Sequence, residues 1–198
     1  MVKEPITRWN IFPPLRGYYP MTRTRYQFLP ADPFPYFVTT TTVNWLPLFG
    51  NPEVALIVLD SLRYLIDCQR ISLHAYVIME NHVHLIASAE NLSKQIANFK
   101  SFTARKCIDY YSSRQNQHVL SQLSFYKLEH KTDRQYQFWQ EGSHPQRIAE
   151  EDALQQKIDY IHFNPVRRGY IDKPEDWRYS SARDYAGQLG LLPVTMVG

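Results

Sequence analysis

The sequence predicts an α+β fold: a ferredoxin-like (RRM-like) antiparallel sheet with helices on one face, plus a C-terminal helix. Three observations point there. Short β-branched or aromatic runs alternate with longer stretches whose apolar residues recur at helical spacing. Their order is β-α-β-β-α-β, then a further helix. Two of the strands are separated only by Glu80-Asn81, which reads as an antiparallel hairpin.

The elements follow in order. Tyr36 to Val43 (YFVTTTTV) is β-branched and aromatic, hence a strand. Asn51-Pro52-Glu53 supplies a helix cap, a proline at the first helical position and an acid in the first turn. Val54, Val58, Leu62, Leu65 and Ile66 follow at helical spacing, so residues 52 to 69 form an amphipathic helix. Ile71 to Met79 and His82 to Ser88 are the hairpin strands. Asn91 starts a second helix with Leu92, Ile96, Phe99 and Cys107 on one face and Lys94, Lys100, Arg105 and Lys106 on the other. Residues 112 to 122 read as a polar loop, Leu123 to Leu128 as the fourth strand. A helix from Glu150 to Phe163 carries Leu154, Ile158 and Ile161 as its apolar stripe.

Composition bounds the rest. With 198 residues, 44% hydrophobic and 21% charged, the chain can build a core without disulfides or a structural metal. Its two cysteines, Cys68 and Cys107, form no CxxC pair and are expected to be reduced and packed in helices. A net charge of +3 permits a polyanionic partner without demanding one. Residues 1 to 34 form a basic, proline-rich N-terminal arm, residues 35 to 186 the domain, residues 187 to 198 a C-terminal tail. The arm either contacts nucleic acid or is a passive extension. No apolar run is long enough to span a membrane, and a cytoplasmic location is expected. No glycine-rich nucleotide-cradling loop is present.

The most specific chemistry lies in Asn81-His82-Val83-His84-Leu85-Ile86. Alternation along a strand puts His82 and His84 on one face and Val83, Leu85 and Ala87 on the other. Two imidazoles side by side are half of a metal site, or two solvated histidines. The late helix offers further groups. At about 100° per residue, Tyr160 falls roughly 120° and Asn164 roughly 80° from the apolar stripe, on the same side. A core tyrosine would sit on the stripe. Pro165 places Asn164 in the terminal turn. The spacing alone is weak, because Tyr111 with Gln115 and Tyr136 with Gln140 repeat it.

The surrounding text resembles the single-tyrosine HUH transposases of bacteria, and most closely the REP-associated tyrosine transposases. The matching segments are Tyr36-Phe37-Val38-Thr39, Val77 to Leu85 (VIMENHVHL), Phe99-Lys100-Ser101-Phe102-Thr103, Lys157 to Val166 (KIDYIHFNPV) and Asp176-Trp177-Arg178-Tyr179-Ser180-Ser181. They cover most of residues 36 to 185 in order. Such proteins often carry proline where this chain has Glu80. The resemblance implies Tyr160 as nucleophile, rather than Tyr111 or Tyr136. It implies a divalent ion, Mg²⁺ or Mn²⁺, held by His82, His84 and Asn164.

What it implies in chemistry is cleavage and joining of single-stranded DNA through a covalent 5′-phosphotyrosine, on a palindromic hairpin with single-stranded flanks. Two imidazoles suit Mn²⁺ or Zn²⁺ better than Mg²⁺. Lys100, Arg105, Arg167 and Arg168 are candidate DNA contacts, and each could equally be an ordinary surface charge. Such enzymes work either as monomers or as homodimers that exchange tyrosines. A non-catalytic nucleic-acid-binding module and a hydrolase of small phosphoesters are the rival readings.

Overall fold

A computed structural model describes residues 28–29 and 34–196. Most of the basic arm lies outside those residues. Where it meets the domain, the Leu29 amide donates to the Tyr36 hydroxyl at 3.0 Å and the Phe28 ring lies 5.2 Å from that of Tyr36.

The sheet is antiparallel throughout. Its strands are β1 (Tyr36–Thr41), β2 (Ser72–Ile78), β3 (His82–Ser88) and β4 (Gln146–Arg147), in spatial order β2-β3-β1-β4. Helices α1 (Pro52–Asp67) and α2 (Leu92–Ser113) cover one face. Each begins where a side chain can close its first turn: the Asn51 carbonyl oxygen accepts from the Glu53 amide, and that of Asn91 from the Lys94 amide. The expected apolar residues of both helices are buried, apart from the half-buried Ile66, against Val38, Val83, Leu85 and Ala87. A bulge at His74 shifts the β2 register between Leu73 and Ala75, so that Leu73 and Tyr76 both reach this core. Cys107 is buried as expected. Cys68 is not: it caps the end of α1 and is exposed.

The second face is not open to solvent. Helix α4 (Glu151–His162) lies across it, and Ile158, Ile161 and Ile148 pack on Phe37, Ala75, Val77 and Ile86. His82 and His84 continue the Ile86 face of β3, so both histidines lie beneath covering structure, each about 5% exposed.

The structure corrects three further sequence expectations. Residues 112 to 122 are not a loop: α2 runs to Ser113 and α3 (Gln117–Phe125) follows, capped by Asn116, which accepts from the Val119 amide. Leu123 belongs to that helix, where it and Leu120 are buried one turn apart, so Leu123 to Leu128 is no strand. The fourth strand is the two-residue β4 instead. Nor does Pro165 end the helical path. The chain breaks only at Phe163 and resumes as α5 (Asn164–Arg167), with proline near its start, where its missing N–H costs nothing.

The free edge of β2 is closed by the C-terminal segments. The Ile78 amide donates to Tyr179 O (2.8 Å), the Ser181 amide to Tyr76 O (3.1 Å) and the Thr195 amide to Leu73 O (2.7 Å). Leu192, on the same segment as Thr195, is 2% exposed.

Candidate active site

The two histidine rings lie 4.6 Å apart. Each is oriented by a partner on its Nδ1. His82 Nδ1 lies 2.7 Å from Asn81 Oδ1, an oxygen that can only accept. The amide orientation is fixed from the other end, where Asn81 Nδ2 donates to Trp45 O at 3.3 Å. His82 therefore carries its proton on Nδ1 and leaves a lone pair on Nε2. His84 Nδ1 lies 2.8 Å from Thr39 Oγ1, its cross-strand neighbour on β1. Neither Nε2 has a hydrogen-bond partner among the described residues. Imidazoles held through one nitrogen with the other free are arranged as metal ligands are.

Electrostatics act the same way. Burial, with the Arg168 charge, lowers the His82 pKa to about 4. Burial also holds His84 well below the usual histidine range, helped by His82, Lys157 and Arg168. Both rings are neutral at neutral pH, the state that can donate to a cation.

Tyr160 stands beside the His84 end of this pair. Its ring centroid lies 5.4 Å from that of His84 and 5.9 Å from that of Phe37, edge-on to both. Phe37 in turn stacks on His84 at 5.1 Å. The tyrosine is 40% exposed, as its place off the apolar stripe predicts. The Arg167 guanidinium lies 5.4 Å from its ring, and the Lys157 ammonium 4.7 Å from that of Phe37. All these groups belong to one chain.

Asn164 is buried at the start of α5, one turn beyond Tyr160. The same turn is tied to the histidine hairpin: Arg168 pairs with Glu80 at 3.0 Å, and Glu80 immediately precedes Asn81 and His82. Among the described residues no three His, Cys, Asp or Glu side chains cluster, so a cation held by the two imidazoles would need a third donor of another kind, such as an amide oxygen. That neutral donor set fits a divalent ion bound to a phosphate, because it leaves the ion's charge unspent.

The four candidate DNA contacts divide. Arg167 and Arg168 adjoin the site. Lys100 and Arg105 line a different groove, between α2 and residues 131 to 143. There the Lys100 ammonium donates to the carbonyls of Gln140 (2.9 Å) and Gly142, and burial lowers its pKa to about 8. Sequence reasoning passed over Asn81, Thr39, Lys157 and Trp45. Lys157 was within reach, since it precedes Tyr160 by three positions and shares its helix face.

No protein-family profile matches the chain. A curated Haemophilus influenzae protein named "Putative REP-associated tyrosine transposase" is 28% identical over 115 residues, 54% of this chain. The match spans 56% of that relative's length. A solved structure titled as a REP-associated tyrosine transposase bound to a REP hairpin superposes with a TM-score of 0.61. It covers 88% of this chain and 93% of its own at 15% identity, a likeness of fold. In sequence over about half its length, and in fold over most of it, the chain is thus similar to REP-associated tyrosine transposases.

Proposed function

We propose that this chain is a metal-dependent HUH-type DNA strand transferase that cleaves and rejoins single-stranded DNA beside a hairpin. The observation that carries the reading is the Tyr160 ring 5.4 Å from His84, one of two adjacent neutral imidazoles whose Nε2 atoms have no hydrogen-bond partner among the described residues. His82, His84 and Asn164 are the proposed ligands, and Tyr160 the nucleophile. A divalent ion, Mg²⁺ or Mn²⁺, bound there would neutralise charge building on the phosphate.

The chain's own residues do the rest. Tyr160 Oη forms a bond to phosphorus, the P–O3′ bond breaks, the phenolic proton passes to solvent and the 3′ oxygen leaves as a hydroxyl. One phosphoester is exchanged for another, so a second 3′-hydroxyl can reverse the step without ATP. Arg167 and Arg168 set positive charge beside the place where the phosphate would sit. Because Tyr160 and the histidine pair share one chain, one copy suffices for the chemistry. The hairpin partner is proposed from the similarity to the hairpin-bound structure.

The test incubates a labelled pool of DNA hairpins with randomised single-stranded flanks, with Mn²⁺, and looks for a covalent adduct on a denaturing gel. The native chain should give one, and Tyr160→Phe should give none while still binding the pool. An adduct that survives Tyr160→Phe would refute the nucleophile. Cleavage without any adduct would make the protein a hydrolase, and binding with neither would make it a non-catalytic module.

A further inference from the structure

Between β1 and α1 the backbone does something a tryptophan rarely permits. Asn44 (φ 48°) and Trp45 (φ 57°) are consecutive residues in the left-handed region. The other two such non-glycine residues described, Gln69 and Gln115, each follow a helix C-cap, where that conformation is routine. Asparagine tolerates it; a bulky aromatic residue there is an outlier. The turn is held from both sides. The Trp45 amide donates to Thr42 O (3.1 Å), the Leu46 amide to Val43 O (3.2 Å) and the Thr42 hydroxyl to Leu46 O (2.7 Å). Val43 and Leu46 are buried, so the two residues between them are pushed outward. The indole is 53% exposed.

That exposed indole belongs to the active-site row. Its centroid is 6.2 Å from that of His82, which is 4.6 Å from His84, which is 5.4 Å from Tyr160. Trp45 thus stands at the end of the row away from the tyrosine. The Asn81 side chain, bonded to both Trp45 O and His82 Nδ1, fixes it relative to the pair. The backbone gains nothing from a tryptophan in this turn, where glycine would be unstrained. An indole presented half-open beside His82 offers what a single-stranded nucleic-acid platform needs first, an aromatic face on which a base can stack.

We propose that Trp45 is a stacking platform for a nucleobase neighbouring the cleaved phosphodiester, on the side away from Tyr160. The inference rests on the DNA reading of the site. It assigns Trp45 to substrate positioning, with a face that accepts any base.

The probes are an oligothymidylate of about twelve nucleotides and an abasic oligomer of the same length, bound to the full chain at low salt without divalent metal. The native chain should prefer the base-bearing oligomer about tenfold. Trp45→Leu, which keeps apolar bulk without a π-face, should lose most of that preference, and Trp45→Phe should keep most of it. Comparing two oligomers on each variant cancels any change in the amount of folded protein. A Trp45→Leu variant with the native preference overturns the platform, while adduct formation at Tyr160 would leave the DNA reading standing. If the native chain binds neither oligomer, the platform is overturned, while the adduct assay on the hairpin pool decides the DNA reading separately.

Discussion

Replacing Asn81 with alanine separates the metal-site reading from a merely structural histidine pair. In the native chain Asn81 Oδ1 accepts a hydrogen bond from His82 Nδ1–H at 2.7 Å, and this sets the tautomer that leaves the lone pair on Nε2. Without it, a ring about 5% exposed loses the partner of its N–H. A buried donor left unpaired costs about 1–3 kcal/mol. The ring escapes that cost by turning or by moving its proton to Nε2, and either change withdraws the lone pair from the cation. Loss of an orienting partner of this kind lowers metal affinity about 10–100-fold, or roughly 1.4–2.7 kcal/mol. Mn²⁺ titration followed by electron paramagnetic resonance of the free ion reads this directly and needs no DNA. Unchanged Mn²⁺ affinity in a folded Asn81→Ala protein would refute the argument.

Two other outcomes follow from the described geometry. His82 and His162 each have a pKa lowered to about 4 by burial, and His84 is lowered well below the ordinary value of 6.5. The folded state therefore resists protons that the unfolded chain accepts. Stability should be full above pH 6.5 and fall as pH drops towards about 4. A melting temperature flat across that window would contradict the burial of these rings. Lys100 holds two backbone carbonyls of residues 140 to 142, so Lys100→Met should cost about 1.5–3 kcal/mol in urea unfolding. Mn²⁺ affinity should not change, and a large fall in the salt dependence of DNA binding would instead make Lys100 a phosphate contact.

Much of the architecture is local in origin and was legible. Asn51 and Asn91 announce their helices because a capping side chain acts within its own turn. The histidine pair is legible because strand alternation is a property of the backbone. Tyr160 stands off the apolar stripe and is accordingly half-exposed. The misreadings occur where local signals are short. Two residues suffice for β4 because β1 supplies the pairing partner, and no periodicity can be seen in Gln146-Arg147. Helix α3 spans only nine residues, and its end at Leu123 to Phe125 runs into Tyr126, so the aromatic and aliphatic residues of Leu123 to Leu128 read as a strand. The orienting partners of the histidines were hidden for another reason. Thr39 meets His84 only through the β1–β3 register, 45 positions apart in sequence, and Asn81 acts through the hydrogen bond it accepts from His82 rather than through its own spacing.

The closed edge of β2 bears on how the protein behaves in concentrated solution. A bare edge strand is a template on which further chains can pair. Here Tyr179, Ser181 and Thr195 already occupy the Ile78, Tyr76 and Leu73 positions, so another copy cannot lengthen the sheet on that side without displacing them. A version shortened to residue 186 would lose Thr195 and the buried Leu192 together. It would expose an apolar strand end at the very place where the full chain guards against aggregation.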